Sequence, residues 1–281
     1  MENPALNLHA SAVAGRPAAT VLAVTSGKGG VGKTNIAANL AVCLAAAHQR
    51  VLLLDADLSL GNLDLLMDIH SKYNVSHVIS GHKSMEEIIQ DGPKGLRVVC
   101  GASGLDRLAD ISESEQHRFL EHLCRLQQET DTILIDTAAG ISRPVVSFCL
   151  AADRVLVVTT PEATAMADSY GIIKVLVRKG YAGPISLIVN MARTATEGKE
   201  TYQRMANVAQ KFLRTNLYYA GTLLKDERLC AAVRSRTPVV LAYPKCEISL
   251  SLAAIATRLG GARRDIDAED NFFRRVIRWL N

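Results

Sequence analysis

Short apolar runs alternate with longer stretches of helical periodicity along most of this chain. The runs are rich in Val, Ile and Leu and are bounded by turn-forming residues, which is typical of buried parallel strands. They fall near residues 20–25, 50–55, 96–100, 131–136, 153–160, 184–190 and 217–222. Helical stretches fill the intervals between them. The pattern predicts an α/β fold with a doubly wound, mainly parallel sheet.

The two ends of the chain depart from this alternation. Residues 1–19 are rich in Ala, Asn and Pro without an amphipathic period, so we expect a flexible N-terminal arm there. The predicted domain occupies residues 20–261, and a linker with a C-terminal helix occupies residues 262–281. With 281 residues and 48% apolar composition, one domain of this length can bury a substantial core. No run of about 18 apolar residues is present, so no membrane span is predicted.

One glycine-rich segment constrains the chemistry more than any other. Residues 27–34 read Gly-Lys-Gly-Gly-Val-Gly-Lys-Thr, between a predicted strand and a predicted helix. Glycines let backbone N–H groups face phosphate oxygens, and a helix N-terminus adds partial positive charge. Lys33 is expected to reach the β- and γ-phosphates and Thr34 to offer its hydroxyl to Mg²⁺. The predicted nucleotide contacts are Gly27, Lys28, Gly29, Gly30, Val31, Gly32, Lys33, Thr34 and Asn35.

Carboxylates follow two other predicted strands. Asp55 and Asp57 end the strand near 50–55, and Asp136 ends the run Thr-Ile-Leu-Ile. Parallel strands bring such residues to one sheet edge, where α/β folds bind ligands. We expect Thr34, Asp55 and Asp136 to supply the Mg²⁺ site. The spacing leaves open whether Asp55 or Asp57 is the more important of the two early acids.

These segments carry a resemblance to a known family. The glycine-rich loop, the stretch Asp-Ala-Asp-Leu-Ser-Leu-Gly-Asn-Leu-Asp at 55–64 and Asp-Thr-Ala-Ala-Gly at 136–140 resemble the deviant Walker A ATPases of the MinD/ParA group, which have a SIMIBI-type P-loop NTPase fold. The match covers residues 20 to about 260. Within the group, residues 73–81, 87–95 and 102–104 most resemble the flagellar-number regulators FlhG and FleN.

The resemblance implies a slow, dimerisation-dependent ATPase. Lys28 is the signature lysine that crosses to the partner subunit's phosphates, so two ATP molecules lie between two subunits. Asp57 positions or polarises the attacking water, and Asp136 binds Mg²⁺ through water. Lys28, Lys33 and Asp57 are therefore the expected catalytic residues. A trans lysine stabilises the charge on the transferring phosphoryl group as an arginine finger does elsewhere.

The same resemblance favours adenine as the base. Asn190 follows the apolar strand Ile185–Val189 and matches the adenine-reading asparagine of the group. Its amide both donates and accepts hydrogen bonds. The Asn-Lys-x-Asp pattern that many GTPases use for guanine is absent after this strand, which favours ATP. Asp226 keeps the acid of the group's Pro-x-Asp motif but lacks its proline.

The cysteines and histidines form no metal-ligand spacing. Six cysteines include no C-x-x-C pair and lie mostly in apolar contexts, as in a reduced cytosolic protein. Relatives that carry iron–sulfur clusters between subunits need such a pair, so a cluster carrier is disfavoured. The expected cofactors are ATP and Mg²⁺ alone.

The C-terminal residues predict an amphipathic helix. An apolar sector faces a sector of arginines that includes Arg275, a pattern suited to an anionic membrane surface. The expected membrane residues are Phe272, Phe273, Val276, Ile277, Trp279 and Leu280. The alternative is that this helix packs permanently on its own domain, and the sequence leaves both open.

The positive charge of the chain is too small to indicate nucleic-acid binding by itself. The net charge is +4, although nine Lys/Arg face four Asp/Glu between Arg193 and Arg236. ParA-type relatives bind DNA through such a surface, but scattered charges usually form a solvated helix face. We therefore do not expect DNA as a partner.

Taken with the resemblance, the sequence predicts an ATP-driven dimerisation switch that restrains flagellar number or placement. The implied partners are a second copy, an FlhF-type GTPase, a flagellar transcription activator or a switch-complex protein. The expected location is the cytoplasm, with reversible binding to the inner membrane. The alternatives are a MinD-type division-site regulator and a ParA-type DNA-segregation ATPase.

Overall fold

The computed structural model of the protein describes residues 19–57, 62–101 and 126–259, together with Phe272, Arg275 and Val276. Most of the predicted N-terminal arm and C-terminal helix therefore lies outside the described residues. Ala19, assigned to the arm, is fully buried. In these ranges no helix is both long and apolar enough to cross a bilayer.

The described ranges form an eight-stranded sheet, and each of the seven predicted strands is present. The strands are β1 (Thr20–Ser26), β2 (Val51–Ala56), β3 (Gln90–Asp91), β4 (Arg97–Val99), β5 (Thr132–Ala139), β6 (Arg154–Thr159), β7 (Ile185–Ala192) and β8 (Leu217–Leu224). Their order is β3-β4-β2-β5-β1-β6-β7-β8, parallel except where β3 meets β4. The two residues of β3 are too few to give a periodic signal, which is why the sequence did not predict it.

Helices cover both faces of the sheet. They are α1 (Lys33–Ala46), α2 (Leu63–Met67), α3 (Val75–Ile79), α4 (Met85–Ile88), α5 (Arg143–Ala151), α6 (Ala163–Arg178), α7 (Ala195–Leu213), α8 (Glu227–Arg234), α9 (Val239–Ala242) and α10 (Glu247–Leu259). One apolar core includes buried residues of α1, α2, α8, α9 and α10, and the other includes those of α3, α4, α5, α6 and α7. The predicted α/β architecture is confirmed.

The central strand β1 explains where the site must form. Its residues are buried, and its side chains alternate between the two cores because successive residues of a strand point to opposite faces. β5 and β6 flank it, so three parallel strands end at one edge. In the neighbouring pair β2 and β5, Asp55 is in register with Asp136. The predicted acids therefore meet at the edge where β1 enters the glycine-rich loop.

Candidate active site

The glycine-rich loop joins the end of β1 to the first turn of α1, so its backbone lies at a helix N-terminus. Gly32 is the N-cap of α1, with φ of 87° in the left-handed region. A Cβ on Gly32 would lie 2.5 Å from Nδ2 of Asn190, and one on Gly27 would lie 2.1 Å from the backbone of Asp168. Only glycine fits these two positions. The loop thus keeps a backbone cradle at a helix end, which suits a phosphate.

Lys33 and Asp136 form a buried ion pair beside this loop. Nζ of Lys33 lies 2.8 Å from Oδ1 of Asp136, and both side chains are nearly inaccessible. The Thr34 side chain lies near the Asp136 carboxylate and favours its charged form. Burial raises the pKa of Asp136, while Lys33 and Thr34 oppose that shift.

This oxygen pair fits a magnesium nucleotide. Mg²⁺ is usually held by one or two protein oxygens together with substrate phosphates. Thr34 and Asp136 supply such oxygens, and the phosphates offer Lys33 a second anionic partner. When bound, the ion would neutralise the charge that develops on the phosphates.

The structure places the two early carboxylates, Asp55 and Asp57, in different environments. Asp55 is buried, and its Oδ1 accepts a hydrogen bond of 3.1 Å from the backbone N–H of Asp57. Burial raises the pKa of Asp55 to about 7, and the nearby charge of Asp136 adds to the shift. Asp57 lines the cavity described below. The arrangement favours Asp57 as the acid that meets water, and the expected place of Asp55 in the Mg²⁺ site stays a prediction.

Lys28 is held by its own subunit. Its Nζ lies 3.1 Å from Oε2 of Glu162 and 3.1 Å from Oγ1 of Thr164, at the start of α6. The Ser26 hydroxyl donates to the Lys28 carbonyl at 2.9 Å, which fixes the backbone at this point. Lys28 also lines the cavity. Its ammonium is therefore near the phosphate site but paired in cis.

A cavity of about 650 Å³ opens above the loop. This volume is in the usual range for small-molecule sites and suits a nucleoside triphosphate. Beyond the residues of the loop, the cavity is lined by Ser26, Asn35, Asp57, Asn62, Leu65, Leu66, Ala139, Met191, Val233, Arg234 and Arg236. The predicted loop residues from Lys28 to Asn35 all contribute to the lining.

The two residues expected to contact adenine are hydrogen-bonded to backbone groups of the protein. Nδ2 of the buried Asn190 donates to the Val31 carbonyl at 2.8 Å, which ties β7 to the phosphate loop. Asp226 is the N-cap of α8, and its Oδ1 accepts from the backbone N–H of Arg228 at 2.8 Å. Neither is among the residues that line the cavity. Their base contacts remain predictions.

Sequence reasoning missed several residues of the site. Glu162 and Thr164 lie far from Lys28 in sequence, and no local pattern connects them. Met191 and Arg236 line the cavity, each with a positive φ that marks an unusual turn but does not reveal a function. A pairing across more than a hundred residues depends on the tertiary fold.

The described residues contain no group of three or more His, Cys, Asp or Glu side chains that could hold a metal ion. Of the cysteines described, Cys100, Cys149 and Cys246 are buried, Cys43 is half-buried and Cys230 is exposed. Burial raises the pKa of Cys149 to about 12, so this thiol stays protonated. These observations agree with cysteines that serve mainly as core residues.

The described C-terminal residues pack against the domain. Phe272 and Val276 are buried in the core with α5, α6 and α7, on the face opposite α10. Nη2 of Arg275 lies 2.9 Å from Oδ1 of Asp153, whose Oδ2 accepts a 2.9 Å hydrogen bond from the N–H of Val21. The helical wheel placed Arg275 on the outward basic side, yet it contacts the domain. The remaining predicted membrane residues, Phe273, Ile277, Trp279 and Leu280, lie outside the described residues.

The basic segment from Arg193 to Arg236 is partly neutralised. Arg204 lies 3.7 Å from Glu200, Arg228 lies 3.8 Å from Asp226, and Arg236 lies 3.5 Å from Asp68. All of these ion pairs are at the surface. They reduce the local positive field that nonspecific DNA binding requires.

Comparisons with known proteins agree with this geometry. Residues 18–260 match a family model described as ParA, NUBPL iron-transfer P-loop NTPase. The Antiactivator FleN of Pseudomonas aeruginosa is 37% identical over 85% of this chain and 85% of its own length. The Flagellum site-determining protein YlxH of Helicobacter pylori is 34% identical over 92% of this chain and 90% of its own length. The solved MinC:MinD cell division complex of Aquifex aeolicus has a chain 26% identical, with a TM-score of 0.69, covering 89% of this chain and 99% of that chain.

Proposed function

This chain belongs to the ParA family of P-loop NTPases, and on that premise we propose that it is an ATP-driven dimerisation switch that regulates flagellar number or placement. Members of the family and its FleN-type relatives are ATPases, and this chain is one of them. The observation that carries the proposal is the convergence of Lys28, Lys33 and Asp57 on one cavity of nucleotide size.

The chemistry begins with MgATP in the glycine-rich loop. The loop backbone and Lys33 bind the phosphates, and Thr34 and Asp136 would hold a magnesium ion, which would supply positive charge to the phosphates. Asp57 orients the attacking water from the cavity wall. Lys28 leaves Glu162 and contacts the γ-phosphate of the ATP bound to the partner subunit. Hydrolysis is therefore slow until two subunits dimerise.

The flagellar role is supported by the relatives. One of the two is named an antiactivator and the other a flagellum site-determining protein, and both align with most of this chain. The proposed partners are a flagellar transcription activator, an FlhF-type GTPase or a switch-complex protein. ATP-bound dimers would engage them and ADP-bound monomers would release them.

We also propose that the C-terminal segment alternates between the domain and an anionic membrane on the cytoplasmic side. Burial of Phe272 and Val276, with the Arg275–Asp153 pair, supports the docked state. A short amphipathic helix is marginally stable in water, so its release is favourable only when another surface receives it.

A MinD-type role in division is the second candidate. The 26% identity to a MinD chain that was solved in complex with MinC favours it over DNA segregation, and the ion pairs in the basic segment disfavour DNA. A chromosomal deletion separates the roles. Altered flagellar number supports the flagellar role, and anucleate minicells support the division role.

Sedimentation of the Asp57→Ala protein tests the switch. Without the acid that orients water, ATP stays intact and the dimer accumulates, whereas ADP leaves monomers. Anionic liposomes added to the same samples are expected to pellet the ATP dimer only. An Asp57→Ala protein that remains monomeric with ATP would contradict the switch, and an ATP dimer that ignores liposomes would contradict the membrane part alone.

A further inference from the structure

The cavity extends past the phosphate loop. None of the residues that line this further region was predicted to contact the nucleotide. Met191, Val233 and Arg236 line it, together with Leu65 of α2. The methyl group of Met191 would lie 3.8 Å from a Cβ on Gly32, so this region begins directly beside the loop. With the phosphates at the loop end, this second wall is the part of the cavity lining that is available to the base.

Arg236 is a cationic residue of that wall, and its guanidinium pairs with a carboxylate. Its Nη1 lies 3.5 Å from Oδ1 of Asp68, the residue that ends α2. Arg236 itself lies in the connection between α8 and α9, with φ of 51°. Both side chains are more than half exposed, and exposed ion pairs of this length contribute little to stability. The guanidinium is thus near the cavity and weakly held.

The residues expected to read adenine do not provide an alternative contact in this state. The Asn190 amide N–H binds the phosphate loop, and the Asp226 carboxylate caps α8. A purine is a flat aromatic ring, and the planar guanidinium of arginine stacks on such rings more readily than an ammonium does. Met191 and Val233 offer the apolar surface that the ring also requires.

We propose that Arg236 is a base-binding residue that leaves Asp68 and stacks on the adenine ring when ATP binds. This inference rests on the proposed function, because it requires ATP in the cavity. The exchange also releases Asp68, and with it one tether between α2 and the α8–α9 connection.

Substitutions of Arg236 and of Asp68 test whether Arg236 moves from the carboxylate to the adenine ring. The two substitutions are expected to have opposite effects on ATP binding. Arg236→Ala removes the stacking group and is expected to weaken MgATP binding about tenfold by calorimetry. Asp68→Asn removes the competing partner and is expected to tighten binding about twofold, because Arg236 no longer has to leave a carboxylate. Equal weakening by both substitutions would show a structural pair and overturn the proposal.

Three further measurements test whether the effect of Arg236 on ATP binding comes from stacking on the base. Arg236→Lys retains the charge but loses the planar group, so it is expected to weaken binding as Ala does; wild-type affinity would overturn stacking. Tripolyphosphate, which has no base, is expected to compete with ATP equally well for wild type and Arg236→Ala, and a weaker competition constant would place Arg236 on the phosphates instead. Arg204→Ala is the matched control, an exposed arginine paired with Glu200 outside the cavity.

Different results would contradict the proposed function and this inference. If wild-type protein does not bind MgATP, or if Lys33→Ala binds it as well as wild type does, the nucleotide site itself is wrong. If those two behave as expected and Arg236→Ala stays within twofold of wild type, only the role of Arg236 is overturned. Matching melting temperatures among the variants show that each is folded.

Discussion

The ammonium of Lys28 lies 3.1 Å from the carboxylate of Glu162 within a single subunit. In the proposed dimer this ammonium contacts the partner's phosphates, so the two contacts exclude each other. Glu162 therefore acts against dimerisation, by an amount limited by its exposure to water. Exposed ion pairs are worth about 0 to 1 kcal/mol.

Glu162→Gln is expected to promote the ATP dimer. Removing the charge frees Lys28 and lowers the ATP concentration at half-dimerisation by up to about fivefold. Analytical ultracentrifugation over an ATP series measures this. Glu200→Gln, which disrupts an exposed pair with Arg204 far from the loop, is the control. Weaker dimerisation of Glu162→Gln would mean that the glutamate supports the dimer.

Lys33→Ala is expected to abolish MgATP binding and also to destabilise the nucleotide-free protein. Removing the ammonium leaves the Asp136 carboxylate buried without its ion-pair partner, a change that costs about 3 kcal/mol. Adding Asp136→Asn removes that charge. The double variant should therefore recover most of the stability and none of the ATP affinity, as measured by urea unfolding and calorimetry.

A different outcome for the double variant is informative. If Lys33→Ala/Asp136→Asn is as unstable as Lys33→Ala, the loss comes from packing around the lysine stem rather than from the unpaired charge. Restored ATP binding in the double variant would contradict the role of Lys33 at the phosphates.

The raised pKa of Asp55 predicts how stability changes with pH. The folded protein keeps this proton up to about pH 7, whereas the unfolded chain loses it near pH 4. Between these values the folded state binds more protons, so the free energy of unfolding falls as pH rises through that window and is then constant. The contribution is at most about 4 kcal/mol.

Asp55→Asn removes this titration while keeping an oxygen for the backbone N–H of Asp57. Its stability relative to wild type is expected to increase by a few kcal/mol between pH 4.5 and 8. Urea unfolding without nucleotide at several pH values measures the difference. Parallel pH curves for the two proteins would show that Asp55 is ionised in the folded state throughout.

Asp153→Asn is expected to weaken docking of the C-terminal segment. The change removes the charge that holds Arg275 but keeps an oxygen for the Val21 N–H, and Arg275 stays available to lipid. A lost charged hydrogen bond costs about 1 to 2 kcal/mol, so the undocked population should rise about five- to thirtyfold. Sedimentation with anionic liposomes, without nucleotide, measures the change.

Glu129→Gln is the control for that experiment, because it disrupts an exposed ion pair with Arg97 of β4. Equal pelleting of Asp153→Asn and wild type would mean that the ion pair does not limit release. Greater pelleting of the control than of Asp153→Asn would attribute the effect to general destabilisation.

Local sequence patterns predicted the features that depend on local spacing. Each long strand appears as an apolar run, the loop follows β1 directly, and Asp55 and Asp136 come at the end of their apolar runs, so the sheet edge could be placed from sequence. The early acids could not be ranked, because Asp55 and Asp57 differ only in whether they face the core or the cavity. That difference requires the register with β5.

The remaining features depend on contacts between distant segments. Asn190 was expected at the base, yet its amide reaches the Val31 carbonyl across 159 positions. Helical periodicity placed Arg275 outward, but a guanidinium can lie along an apolar face when a carboxylate such as Asp153 is within reach. No window of neighbouring residues contains these pairings.

The seven residues of β1 separate the phosphate loop from the docked C-terminal residues. Asp153 holds the Val21 amide at one end of the strand, and the phosphate loop leaves the other end, about 20 Å away at the usual rise per residue. No side chain spans that length, and charges so far apart are largely screened in salt. In the proposed switch, bound ATP would therefore act on the C-terminal segment through strain in the sheet or through a second subunit. The first route is independent of protein concentration and the second is not, so the reaction order of liposome binding distinguishes them.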